Sequence, residues 1–273
     1  MIKRISILIL ICTFSNLYAQ KIIKFEPSIL ECQYYKTVDR DTANRGKDII
    51  SDYVSLRIGK TTSMFYGPKE LNWDSLSCNK ELKFQFYIER VQKDILPAGR
   101  FKERIYKNYP TNELTVYDHF ALMHWTYSEE WEKPQWTLID SVKSILGHSC
   151  QLAKSLYRNR IWYAWFTLDI PINDGPWKLC GLPGLILEAY DPHKEYTFTA
   201  VAIQSKNIAD VGIYDYSEYD WAKTSRIKFL RTKFKELHTD RGAIMSQMYN
   251  LKRSTIPQKL KHINYDFEET DYH

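Results

Sequence analysis

The sequence predicts an α+β protein that is mainly β: a curved antiparallel sheet or incomplete barrel, with amphipathic helices packed on it near the C-terminus. Three observations predict it. Aromatics make up 15% of the chain, with 20 tyrosines and 8 tryptophans, and such residues favour a pleated, half-buried surface. From Lys83 to Ile203, runs of β-branched and aromatic residues recur at roughly 8–12-residue spacing with turn residues between them. Only after that stretch does the apolar period change to that of a helix.

The chain opens with Lys3 and Arg4, an apolar run from Ile5 to Phe14, and Leu17-Tyr18-Ala19 before Gln20. That order is a secretory signal peptide cut after Ala19, and its apolar run is too short to span a bilayer. Three segments follow: residues 1–19 as the signal, 20–205 as an antiparallel β domain, and 206–273 as a helical segment packed on it.

Leu30 to Thr37 reads as the first strand, and the polar stretch from Asp39 to Asp48 as a loop. Asp52–Gly59 and Thr62–Tyr66 read as a hairpin. Glu70 to Leu82 has weak periodicity and is read as a short helix or a loop. Strands are expected at Phe84–Ile88, Arg104–Tyr109, Glu113–Asp118, Leu122–Tyr127, Trp136–Ile139, Leu152–Tyr157 and Ile161–Thr167. The last two flank Arg158-Asn159, a hairpin turn.

Gly175 to Tyr190 holds three of the ten glycines and two of the ten prolines beside a strongly apolar run. Leu182-Pro183-Gly184-Leu185 suits a type II turn, with proline at the second position and positive φ at Gly184. Leu185–Tyr190 then reads as a strand buried on both faces. Asp191 to Lys194 reverses the chain, and Tyr196–Ile203 returns as its hairpin partner. The stretch is either a structural corner of the sheet or a binding loop. It is not a phosphate cradle, because G-L-P-G lacks the following Gly-Lys-Ser/Thr and no helix starts there.

In the tail, Ile227, Leu230, Phe234 and Leu237 recur at helical spacing, as do Ile244, Met248 and Leu251. Two amphipathic helices separated near Asp240-Arg241-Gly242 are expected. Lys223, Arg226, Lys228, Arg231, Lys233 and Lys235 make the first one basic. Its cations form a solvated face, or a peripheral contact with a membrane surface or an acidic partner.

The formal net charge of +5 is mild and both signs are interspersed, which excludes a nucleic-acid binder. Nothing after the signal resembles a transmembrane helix. Past the signal, Cys32, Cys78, Cys150 and Cys180 form an even set in an exported chain, which reads as disulfides. Proximity favours Cys32–Cys78 and Cys150–Cys180. No C-x-x-C spacing suggests zinc, and no metal or cofactor is predicted. His148-Ser149-Cys150 after Gly147 is not a nucleophile elbow, because Gln151 stands where glycine is needed. His119 and His124, five apart, suit no metal clamp on one face.

Gly181-Leu182-Pro183-Gly184-Leu185-Ile186 resembles the signature of the GLPGLI family of Gram-negative envelope proteins. Trp136-Thr137-Leu138, Ile145 to Ala153, Arg160, Trp162, Ala164 to Thr167 and Asp169-Ile170-Pro171 resemble its core pattern. Leu56, Ser63 and Phe65-Tyr66 match its weaker N-terminal pattern. Asn264 to Glu268 departs from the family's usual N-P-I-E-L ending. The resemblance implies a cell-envelope location, periplasmic or outer-membrane-associated, and a mostly β fold. It transfers no catalytic residues.

The expectation is therefore an exported, non-enzymatic protein that binds an envelope protein or an apolar ligand. Candidate binding residues are Trp162, Trp165, Trp177, Leu182, Pro183 and Gly184. The rival expectation is an envelope hydrolase using carboxylates near Asp169, Asp174 and Glu188. The signal reading predicts that exported protein begins near Gln20. N-terminal sequencing of periplasmic material checks it, and an intact Met1 in that fraction would refute it.

Overall fold

The computed structural model describes residues 22–77, 99–120, 123–214, 220–239 and 266–273. The signal segment, Cys78, the strand expected at 84–88 and the second tail helix at 244–251 lie outside them.

The first half of the chain supplies β1 (Ile22–Glu26), β2 (Leu30–Asp39), β3 (Ile49–Ile58), β4 (Ser63–Tyr66), helix α1 (Pro68–Ser77), β5 (Arg104–Lys107), β6 (Glu113–Phe120) and β7 (Met123–Glu130). The second supplies β8 (Thr137–Ile145), β9 (His148–Tyr157), β10 (Arg160–Thr167), β11 (Leu185–Tyr190), β12 (Tyr196–Gln204), β13 (Val211–Tyr214), β14 (Trp221–Lys223) and helix α2 (Arg226–His238). Twelve strands form one sheet in the order β14-β7-β6-β5-β4-β3-β2-β12-β11-β10-β9-β8, and β1 pairs with β13 apart from it.

The order shows two meanders. β2 to β7 step outward in one direction, and β8 to β12 step back from the other edge. They join where β12 lies antiparallel to β2, from Tyr196↔Val38 to Gln204↔Glu31 with a bulge at Ala200/Ala202. The sheet does not close into a barrel, since its order ends on β14 and β8. It is mixed rather than purely antiparallel, because β14 lies parallel to β7. β13 and β14 arise within the segment that sequence reads as helical, since runs of four and three residues are too short to show a period. Arg158 and Asn159 both take positive φ, 52° and 61°, as a two-residue hairpin with the twist of its strands requires.

Side chains alternate across the pleat, so the strands feed two apolar layers. The larger contains Leu56, Phe65, Trp162, Ala164, Phe166, Leu185, Leu187 and Phe198. The smaller contains Met64, Tyr66, Leu71, Tyr106, Val211 and Ile213. Phe65 and Met64, neighbours on β4, thus enter opposite layers. Phe229 and Leu230 of α2 are buried against the larger layer.

Trp162 sits at the centre of that layer with no exposed surface. Its ring lies 5.5 Å from Trp177 and 6.1 Å from Phe198. Trp162→Ala is therefore expected to cost about 3–5 kcal/mol, measured by denaturant unfolding of the purified variant. A loss below about 1 kcal/mol would show that the ring fills no core.

Candidate functional site

The signature loop is built around one buried ammonium. Lys107, at the end of β5, is fully buried. Its Nζ donates to Asp174 Oδ1 at 2.5 Å, to the Gly175 carbonyl at 2.6 Å and to the Leu179 carbonyl at 3.2 Å. All three ammonium protons are used. The loop adds its own bonds: Leu179 N donates to the Pro176 carbonyl at 3.1 Å, and Ile186 N to the Asp174 carbonyl at 3.0 Å. Gly181 N donates to Asn173 Oδ1 at 2.5 Å, and Trp136 Nε1 to the Cys180 carbonyl at 2.7 Å.

The signature glycines differ in their reasons for being glycine. Gly181 has φ of +96°, a region open to few side chains. Gly184 does not take positive φ, so the type II turn expected over Leu182–Leu185 is not formed. A Cβ at Gly184 would lie 1.9 Å from the Thr167 carbonyl oxygen. Close approach of the loop to β10, not turn geometry, excludes any side chain there.

The candidate binding residues separate into three groups. Trp162 and Trp177 are core, at 0% and 4% exposure. Trp165 is in register with Glu188 on the other side of β10 from Trp162, and Lys143 Nζ lies 4.5 Å from its ring centroid. Leu182 and Pro183 border a groove of about 390 Å³ whose other walls include Pro134, Trp136, Leu138 and Asn173. Leu182 is buried and Pro183 exposed.

The three carboxylates of the hydrolase reading are each engaged with a different basic side chain. Asp174 holds Lys107, Glu188 holds Lys143 at 2.8 Å, and Asp169 lies 3.1 Å from His148 Nδ1. The expected Cys150–Cys180 bridge is not formed. Both are buried free thiols, as is Cys32. The loop carries Cys180 to the Lys107–Asp174 pair, while Cys150 faces Lys143 and Glu188 near the start of β9. Burial pushes the Cys32 thiol up to about 12 and the Cys180 thiol up to about 11, so neither is a nucleophile at neutral pH. The rings of His119 and His124 lie 5.5 Å apart. Burial first, then Lys102 and other cations, lowers His119 to about 3. Its 3.4 Å contact with Glu70 is thus not an ion pair at neutral pH.

Sequence reasoning missed Lys107 and Lys178, the cations that shape the loop. Lys178 is 1% exposed and donates to Glu129 and Glu269 at 2.8 Å and to the Tyr127 hydroxyl at 3.1 Å. Burial works against its charge, yet Glu269 and Glu129 hold it above the ordinary lysine value. No local pattern distinguishes such a lysine from a solvated one. The basic helix was misjudged likewise. Arg226 pairs with Glu129, Glu269 and Asp271, and Lys233 with Asp118, so two of its six cations are engaged with the body of the fold.

A family model described as a protein of unknown function, Porph_ging, matches residues 119–188. That stretch contains Gly181 to Ile186, on which the GLPGLI resemblance rests, and is compatible with it. Two crystal forms of PNGF-II are similar to this chain, each with a TM-score of 0.50 and 14% identity over 76% of it. The chain spans about one third of PNGF-II, 33% and 34% in the two forms. The likeness is one of fold. No curated protein matches.

Among the described cysteines, the expected outcome of alkylation is clear. Native protein at pH 8 should resist iodoacetamide at Cys32, Cys150 and Cys180, and unreduced, denatured protein should take up the label at all three. A Cys150–Cys180 pair that stays unlabelled until reduction would overturn the free-thiol assignment.

Proposed function

We propose that this chain is an exported cell-envelope protein that binds a partner protein through the groove beside its signature loop, and that it does so without catalysis. Export is supported by the charged-then-apolar start and Leu17-Tyr18-Ala19 before Gln20. The observation that carries the binding reading is the groove itself. It combines Trp136, Leu138 and Pro183 with the polar Lys133, Gln135 and Asn173, the mixture of apolar contacts and polar rim that protein interfaces use.

Its position favours an extended protein segment over a small apolar ligand. β8 is an edge of the twelve-stranded sheet, and Leu138 and Val142 project from it at 62% and 67% exposure. An extended segment laid along β8 would use free backbone groups there and place one apolar side chain in the groove. A bulge between Ile139 and Val142 interrupts the register of β8 with β9. Such a bulge discourages two edges from zipping together, so side-chain recognition in the groove decides the partner.

A curled sheet is part of this reading. Residues 131–136 connect β7 to β8, which stand ten strand intervals apart in the sheet order. At about 4.8 Å each, a flat sheet would separate them by roughly 48 Å. The connection reaches about 25 Å at most. Contacts support the curl: Arg158, after β9, lies 3.0 Å from Glu129 of β7, and the Tyr157 hydroxyl donates to the Glu132 carbonyl at 3.1 Å.

A photo-crosslinking residue placed at Leu138 or Val142, in cells exporting the full chain, tests the proposal. Both positions are expected to capture the same protein, while the exposed Lys228 of α2 captures none of it. Leu138→Asp should abolish capture and leave unfolding stability within about 0.5 kcal/mol of the parent. Capture at Lys228 equal to that at Leu138 would overturn the assignment.

A further inference from the structure

A second recognition surface uses none of the groove residues. Residues 266–273, Asp-Phe-Glu-Glu-Thr-Asp-Tyr-His, lie as a strap in neither helix nor strand. Two aromatic residues five positions apart anchor it. Phe267 and Tyr272 are 4% and 1% exposed, their rings are 5.6 Å apart, and they lie 6.1 Å and 5.8 Å from Phe234. Acids between the anchors meet cations from separate parts of the fold. Glu268 pairs with Lys36 at 2.7 Å, Glu269 with Lys178 and Arg226 at 2.8 Å each, and Asp271 with Arg226 at 2.7 Å. Arg160 and Arg231 donate to the carbonyls of Phe267 and Tyr272, both at 2.7 Å.

Two features mark this as a filled cleft rather than another piece of sheet. Among the described residues, one backbone–backbone hydrogen bond ties the strap to the sheet, from Thr270 N to the Arg158 carbonyl at 2.9 Å. It can therefore leave without breaking a strand ladder, as low-stability segments do. Beneath it remains a cavity of about 40 Å³, bordered by Glu103, Asp118, Lys178, Lys233, Glu268 and Glu269 among others. That is room for one water beside the polar wall, with Trp177, Phe229 and Leu230 on the apolar side.

We propose that this cleft is a binding site for an acidic peptide segment of a partner protein, one carrying two aromatic residues about five positions apart, and that residues 266–273 are its occupant within the chain. Charge complementarity defines the class of ligand. Arginine and lysine clusters recognise acidic motifs through charge-assisted hydrogen bonds, and the buried aromatic pair gives the spacing. A partner segment binds only when the strap is out, so its apparent affinity falls with the fraction of open molecules.

The probe is a fluorescein-labelled peptide with the sequence of residues 266–273, titrated by anisotropy against the full chain. The strap-weakened variant Glu269→Gln/Asp271→Asn should bind the probe saturably and at least tenfold more tightly than the parent. The same peptide with Phe267→Ala and Tyr272→Ala should lose at least tenfold. Absence of saturable binding to the folded variant would overturn the proposal. So would a concentration-dependent dimer by light scattering, which would make a second copy's strap the occupant. If the variant does not fold, hydrogen exchange in the parent decides. The Thr270 amide should exchange at least tenfold faster than those of Trp162 and Ala164 in β10, and equal rates would overturn the proposal.

Discussion

Three buried lysines hold the parts of this molecule that are not strands. Lys36, Lys107 and Lys178 are each at most 1% exposed. A buried charge costs several kcal/mol unless it is paired and hydrogen-bonded, and each of these is both. Lys107 gathers Asp174 and two loop carbonyls. Lys36 bridges Glu103 and Glu268, and Lys178 bridges Glu129 and Glu269. Each ammonium therefore ties an irregular segment to the body of the fold. Lys107 has all its partners in the loop, so the loop holds its shape as a condition of the core. Lys36 and Lys178 keep Glu103 and Glu129 when the strap is out.

The sheet explains why such ties are needed. Each meander is local, since most neighbours in it are joined by short turns. The β2–β12 junction pairs residues more than 150 positions apart, and the loop between β10 and β11 departs from the ladder altogether. Backbone pairing serves the carbonyls of Ile170, Ile172, Asp174 and Pro176 in that loop and leaves those of Gly175, Leu179 and Cys180 to side chains. The lysine at the end of β5 supplies donors for two of them, and the Trp136 indole supplies another. Gly184 then lets the loop lie directly on β10.

Strands with alternating or continuous apolar runs were legible in the sequence, among them Leu30–Thr37, Ile161–Thr167 and Leu185–Tyr190. So was the turn at Arg158-Asn159, because few residue pairs accept two positive φ values. β13 and β14 were not, since such short runs carry no period. The site was half legible. Leu182 and Pro183 announced a corner, but tryptophans of alternating strand positions look alike until their neighbours separate Trp162, beside Trp177 and Phe198, from Trp165, beside Lys143. The roles of Lys107, Lys178 and Arg226 depend on partners far along the chain, such as Asp174 and Glu269, and no local pattern reports them. The spacing of Cys150 and Cys180 suggested proximity, yet the loop between them leads away toward β5.

The free thiols bear on how the molecule can be probed. Cys32, Cys150 and Cys180 are packed as small apolar groups. A thiol label that reaches any of the three therefore reports a local opening of the sheet at that cysteine, so each serves as a built-in gauge of its own part of the packing.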